Sequence, residues 1–242
     1  MKSSAIKTVP IFFPFAARIR ANFLMRSRYA EDCLAESLAS GVKQYVVLGA
    51  GLDTFAYRQP AWASALRIFE VDFGATQKWK RERLATAKIE IPGNLAFVPM
   101  DLESVSLEES LAAAEMDFRV PTFFSLLGVS QYLSSEAFDL TLRFVLSLPP
   151  ASEIVFSFVL PSHELSLSER IISTLFVSRS AAARGEPWRN RFSPEPLANM
   201  LKAMGFSKVS YFSTDAANRR YFHGRRDGLQ TWHVAQMMRA IV

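Results

Sequence analysis

The chain is short of several residues that would steer a reading of its function. Cys33 is its only cysteine, so no disulfide can form within it. It has three histidines, His163, His223 and His233, scattered beyond residue 160; with one thiol they offer no metal-ligand spacing. No uninterrupted apolar run reaches the roughly 18–20 residues of a membrane span. There is no internal repeat and no low-complexity linker. Half of the 242 residues are hydrophobic and 21% are charged, which excludes intrinsic disorder and collagen and leaves a globular chain of one or at most two domains.

Acid is also missing, but only locally. Residues 1–28 hold Lys2, Lys7, Arg18, Arg20, Arg26 and Arg28 and no carboxylate. Residues 29–178 hold eleven cations against nineteen acids, and residues 179–226 ten cations against three acids. The net charge of +5 therefore sits at two ends around an acidic middle. A nucleic-acid footprint would interleave aromatics with its basic clusters, and these clusters have few. Lys7, Pro10 and Pro14 interrupt the apolar start, so it reads as an N-terminal flap over residues 1–28, a candidate part of a lid, and not as a secretion signal. A cytoplasmic location is expected, and Cys33 falls on an apolar helix stripe as a core residue.

What is present is an alternation of β-rich and helical runs. Strands are expected at Gln44–Leu48, Arg67–Val71, Leu95–Met100, Thr122–Val129 and Glu153–Val159. Helices are expected at Tyr29–Ser40, Phe73–Lys88, Ser106–Met116 (opened by a Ser106/Glu109 capping box) and Ser134–Leu148. Five strands alternating with helices predict a doubly wound, mostly parallel α/β sheet. Past residue 160 the pattern changes. His163–Gly185 reads as a long helical insertion, Ser193-Pro194 starts a helix that Gly205 ends, and Phe206–Phe212 and Thr231–Ala235 read as a terminal hairpin. Residues 29–242 thus form one domain with an insertion at about 161–195.

Ligands of such sheets bind beyond the carboxyl ends of the strands. Gly49-Ala50-Gly51-Leu52-Asp53 follows the first strand. Asp72 follows the second, 21 residues beyond Gly51, the spacing at which a carboxylate meets a ribose diol; Glu70 is its competitor. Asp101 and Leu102 follow the third, placed for an adenine, and Gly128-Val129-Ser130-Gln131-Tyr132 follows the fourth. Asp72 and Asp101 could instead cap the next helix or turn. A dinucleotide site wants a third glycine where Thr54 stands, and Asp53 is ill-suited to a pyrophosphate. The set therefore leans toward S-adenosyl-L-methionine, a sulfonium cofactor without phosphate, over NAD.

Arg26-Ser27-Arg28-Tyr29-Ala30-Glu31-Asp32, Val47–Arg58 (VLGAGLDTFAYR) and Phe69-Glu70-Val71-Asp72 resemble the leucine carboxyl methyltransferase family, in particular its bacterial branch of S-adenosylmethionine-dependent methyltransferases. The likeness continues through Pro99–Leu102, Gly128–Leu133, Arg184–Trp188 and Gly205-Phe206. It implies a class I methyltransferase (Rossmann-like) fold with a seven-stranded, mostly parallel sheet and a helical lid insertion. It also implies methyl transfer, in the eponymous branch to a carboxylate. By position, Arg28 would pair with the cofactor carboxylate, Gly49, Ala50 and Gly51 would line its methionine and ribose, Asp72 would hold the ribose, and Asp101 and Leu102 would frame the adenine. Leu127 stands where many members have a Glu before the Gly of the fourth-strand segment, which leaves the cofactor amine to Asp53 or a backbone carbonyl.

The protein's part in methyl transfer is alignment and exclusion of water. A carboxylate acceptor needs no general base, whereas a hydroxyl does. Tyr132 and His163 are the candidate catalytic side chains, and Arg184 and Trp188, in the lid, the candidate substrate-binding ones. The expected reaction is O-methylation of a small molecule or peptide by a monomer or homodimer, without nucleic-acid or stable membrane partners. The alternative, suggested by Leu127 and a short N-terminus, is a degenerate member that binds the cofactor but acts as an interaction protein.

Overall fold

The computed structural model describes residues 14–104, 106–173 and 188–242. Its first element, α1 (Pro14–Ser37), is one continuous helix. The residues expected as a flap are therefore, from Pro14 on, the first half of the helix expected at Tyr29. Ala21, Met25, Tyr29, Ala30, Cys33 and Leu34 recur at helical spacing and are all buried, and that stripe keeps the helix on the sheet. Gly41, at φ 89°, closes the following turn onto the carbonyl of Leu38.

Seven strands follow: β1 (Gln44–Leu48), β2 (Arg67–Asp72), β3 (Leu95–Pro99), β4 (Thr122–Leu126), β5 (Glu153–Val159), β6 (Lys208–Phe212) and β7 (Ala235–Ile241). They form one sheet in the order β3-β2-β1-β4-β5-β7-β6. The first five are parallel, and β7 runs antiparallel between β5 and β6. β1, β4 and β5 are buried at every position, as continuous apolar runs in a parallel sheet must be. Between strands lie α2 (Gly74–Ala87), α3 (Leu107–Ala113), α4 (Ser135–Leu146), α5 (Leu167–Ile172), α6 (Pro194–Met204) and α7 (Thr214–Ala217). Ser106 and Ser134 cap α3 and α4 with their hydroxyls. The core has two layers. One packs Val46, Leu48, Phe69 and Val71 against α3, α4 and α6; the other packs Tyr45, Val47, Ile68 and Phe123 against α1. The doubly wound, mostly parallel sheet is as the strand–helix alternation predicts.

Two differences are local. The last strand begins at Ala235, where the expected one ends. Thr231 and Trp232 give their N–H groups to the side chains of Asn218 and Asn22, both at 2.9 Å, and so stay out of the ladder. The residues that do pair, AQMMRAI, favour helices by themselves, and burial between two strands overrides that preference. In the insertion, the described part of the expected long helix is a turn at Ser162–Glu164 and the six-residue α5, started by a full capping box of Ser166 and Glu169. Residues 174–187, with Arg184, lie outside the described residues.

Candidate active site at the carboxyl ends of β1 and β4

The sheet order reverses between β1 and β4, since β2 and β3 lie on one side of β1 and β4 and β5 on the other. The crevice of a doubly wound sheet opens at such a point. There a hollow of about 430 Å³ is lined by Val47–Thr54 from β1 and its loop, Arg58 just beyond, Leu127–Val129 from the end of β4, and Phe23, Arg26 and Ser27 from α1.

The loop after β1 is built from its own hydrogen bonds. Gly49 and Ala50 both donate to the carbonyl of Val71, at 2.8 and 3.0 Å, and Gly51 donates to Asp72 Oδ2 at 2.6 Å. Three successive N–H groups are thus used inside the fold. A pyrophosphate would need such groups free, so the loop suits a phosphate-free ligand. Gly49 is at φ 67°, and a Cβ there would collide with Val129. Gly128 is at φ 77°, and a Cβ there would collide with the guanidinium of Arg26. Each glycine therefore brings a backbone close to the hollow from its own side.

Asp72, at the end of β2, does not itself line the hollow; its carboxylate accepts from the N–H groups of Gly51, which does, and, at 2.7 Å, of Phe73. Asp53 lines the hollow and accepts from Phe55 N–H at 2.7 Å. Asp101 and Leu102 follow β3, two strands from β1. Asp101 Oδ1 closes a turn onto Glu103 N–H at 2.9 Å, and Leu102 packs on the core, so neither lines the hollow between β1 and β4. Leu127 sits on its wall and packs against apolar neighbours, with no acid in its place.

Arg28 is elsewhere. Its side chain is 68% exposed and pairs with Asp32 at 2.9 Å, one turn along α1. Asp32 also accepts from Arg220 and from the Tyr221 hydroxyl, so this pair braces α1 against the segment before β7. Two cations line the hollow, Arg26 and Arg58, and Arg58 is paired with Glu31 of α1; Arg26 is the other. Half-buried, it lies over the Phe23 ring at 4.3 Å and makes no hydrogen bond or ion pair among the described residues. Burial lowers its pKa to about 10, against the pull of Tyr132 and Asp53. The cue in the sequence was helix phase: Met25 and Tyr29 are buried and Leu24 and Arg28 exposed, which puts Arg26 at the edge of the packed face.

A second hollow adjoins the first and shares Phe23, Arg26 and Gly128 with it. Its other walls include Met25, Phe158, Trp188, Trp232 and Met237, with Asn22, Gln131, Tyr132 and Ser157 as polar members. Sequence reasoning brought only Tyr132 and Trp188 here. The peptide of Gln131 does the joining, since its carbonyl accepts from Arg189 and Asn190 N–H at 2.7 and 3.2 Å and so holds the chain after Trp188 beside Tyr132. His163 is not brought in. Its ring is 78% exposed, in the turn after β5, with Glu164 at 3.8 Å as its neighbour. That turn, closed by Glu164 N–H on the carbonyl of Pro161, holds it outside both hollows.

Among solved structures, the chain superposes with a TM-score of 0.64 and 17% identity on a DUF574 family protein from Streptomyces avermitilis, over 94% of this chain and 86% of that one. It superposes with a TM-score of 0.61 and 18% identity on a candidate methyltransferase from Thermobifida fusca, over 91% and 80%. The fold is that of class I methyltransferases. YktD of Bacillus subtilis, named as a candidate S-adenosyl-L-methionine-dependent methyltransferase, is 36% identical over 222 residues, 90% of this chain and 71% of YktD. A relative from Mycobacterium avium with the same kind of name is 35% identical over 132 residues, 54% of this chain and 42% of that protein. The chain thus spans most of YktD but less than half of the mycobacterial relative. The family model for leucine carboxyl methyltransferases matches residues 13–146, which include α1, the glycine loop, Asp72 and the end of β4. With that match over more than half its length, the chain belongs to the leucine carboxyl methyltransferase family.

Proposed function

We propose that this methyltransferase transfers a methyl group to an oxygen, a carboxylate in preference to a hydroxyl, of a small apolar molecule or a peptide end. Its cofactor is S-adenosyl-L-methionine, which supplies an electrophilic methyl on a sulfonium. The observation that carries the reading is the pair of adjoining hollows that share Phe23, Arg26 and Gly128, one walled by the glycine loop and the other by aromatic and aliphatic side chains.

The residues present fit that cofactor. A half-buried guanidinium with no ion pair among the described residues suits a carboxylate, and the cofactor's amino-acid tail carries one; Arg26 takes the role that the resemblance gave to Arg28. The glycine loop lets backbone pass under the methionine and ribose. Asp72 binds the ribose hydroxyls and, by tying Gly51, keeps the loop closed while doing so. Asp101 and Leu102 serve the adenine edge, and Asp53 the amine. In the second hollow Tyr132 orients the acceptor oxygen and Trp188 packs its body; Arg184 is proposed to approach from the lid. No carboxylate or imidazole lines that hollow among the described residues, so a base must come with the acceptor, which favours an acid already ionised.

Isothermal titration with S-adenosylhomocysteine tests the reading: micromolar binding is expected, lost at least tenfold in Asp72→Ala, and no heat at far higher protein concentrations overturns it. Leu127 favours a second reading, a protein that binds the cofactor without turnover. Methylated product from any acceptor in a broad screen of carboxylic acids removes that reading.

A further inference from the structure

The loop after β1 has two sides. Leu52, Asp53 and Thr54 face the cofactor hollow, and the same three residues, with Tyr57, Trp79 and Lys80, line another hollow against α2. The loop is thus a wall one chain thick. Its start is fixed on β2 by Gly49, Ala50 and Gly51. Its far end is held by Arg58, which pairs with Glu31 of α1, and by Tyr57.

Tyr57 is held by a buried charge. Glu70, 1% exposed on β2, accepts from Lys80 Nζ of α2 at 2.6 Å and from the Tyr57 hydroxyl at 3.3 Å, both on Oε2. Lys80 is itself 4% exposed and lies 5.2 Å from the centre of the Tyr57 ring. Glu70 Oε1 is buried with no hydrogen-bond partner among the described residues. As a source of stability this is poor design, because desolvating two charges offsets most of their attraction and an apolar trio of similar volume would hold as well. What an ion pair adds is direction. One carboxylate fixes loop, strand and helix to one another, two residues before Asp72 on the same face of β2.

We propose that Glu70, Lys80 and Tyr57 are positioning residues for the cofactor: they set the distance of the Leu52–Tyr57 wall from β2, and so place Asp53 and Gly51, without touching cofactor or acceptor. The proposal rests on the cofactor reading above. It also gives Glu70, a competitor of Asp72 for the ribose in the sequence, a separate role. Burial raises the Glu70 pKa to about 7 against the opposing pull of Lys80, with Asp53 adding to the rise. The groups facing it are Lys80 from α2 and Tyr57 and Asp53 from the loop, so a proton on Glu70 releases Lys80 and loosens the wall.

The test is S-adenosylhomocysteine affinity by titration calorimetry at pH 6 and pH 8, with thermal unfolding alongside, for the full chain and for Tyr57→Phe, Glu70→Gln and Lys80→Arg. The parent is expected to bind several-fold more tightly at pH 8. Tyr57→Phe should weaken binding about fivefold with its unfolding midpoint within a few degrees of the parent. Glu70→Gln should bind about tenfold more weakly at pH 8 and lose the pH dependence, and Lys80→Arg, which keeps the charge, should retain most of the affinity. Parent-like affinity in Tyr57→Phe, or a parent-like pH profile in Glu70→Gln, overturns the proposal alone. A parent chain that binds no S-adenosylhomocysteine at either pH overturns the cofactor reading and this proposal with it.

Discussion

At the scale of single residues, the two arginines of Arg26-Ser27-Arg28 show how a motif divides its work. Arg26 turns its charge to a hollow and, among the described residues, makes no hydrogen bond or ion pair, whereas Arg28 spends its charge on Asp32 in solvent. Charge-assisted contacts contribute roughly 1.5–3 kcal/mol. Arg26→Gln should therefore weaken S-adenosylhomocysteine binding by about one to two orders of magnitude, and Arg28→Gln by less than threefold, in the same titration. The reverse ranking would return the role to Arg28. Gly49 makes a different point. Alanine there must accept φ 67° and a collision with Val129 at once, so Gly49→Ala should lower unfolding free energy by about 1–3 kcal/mol in urea titrations and weaken cofactor binding. The sequence named the glycines because turn chemistry is local. It pointed to Arg28 where the fold turns Arg26 to the hollow, because side-chain direction on α1 depends on which face the sheet covers.

At the scale of elements, β7 is held in the sheet partly by charge. Arg239 on β7 bonds Glu153 at the start of β5 at 2.8 Å and Glu36 of α1 at 2.6 Å. Glu153 is 1% exposed, and burial pushes its carboxyl above the ordinary range while Arg239 pulls it back. Removing one partner strands the other: Arg239→Met should destabilise by about 3–5 kcal/mol, and a further Glu153→Met change should recover most of that loss. Denaturant midpoints of Arg239→Met, Glu153→Met and the double variant check this, and full additivity of the two changes would count against it. This strand was also the least legible. Residues that prefer helix form a central strand because two neighbours bury them, and no window of sequence contains those neighbours. By contrast β1 and β5 run over the residues that their apolar runs predict, since a doubly buried strand writes its own boundaries.

For the molecule as a whole, pH acts through Glu70. Its folded pKa, about 7, lies above the ordinary carboxylate value, so the native state binds the proton more tightly than the unfolded chain does. Stability from this group is full below about pH 4.5 and is lost as pH rises through about 7. The unfolding free energy should fall across that window relative to Glu70→Gln, in which the slope from this site vanishes; parallel pH profiles would refute the assignment. The charge split seen in the sequence also finds its place. The acidic middle holds the five parallel strands with Glu70 and Asp72 and the loop after β3 with Asp101, and the basic start holds the first half of α1, which lines the hollow with Arg26.

What the sequence determined alone was whatever short-range chemistry controls: glycines where backbone must turn left-handed, serines at helix starts, apolar runs that become buried parallel strands, and acids at the ends of those strands. What only the tertiary structure decided was which side chains meet. Arg26 and not Arg28 faces the hollow, His163 stands outside it, and Glu70 joins Tyr57 and Lys80. Each of these depends on the packing of elements far apart in the chain. A side chain's direction is fixed by the face its element buries, and that face is chosen by the whole sheet.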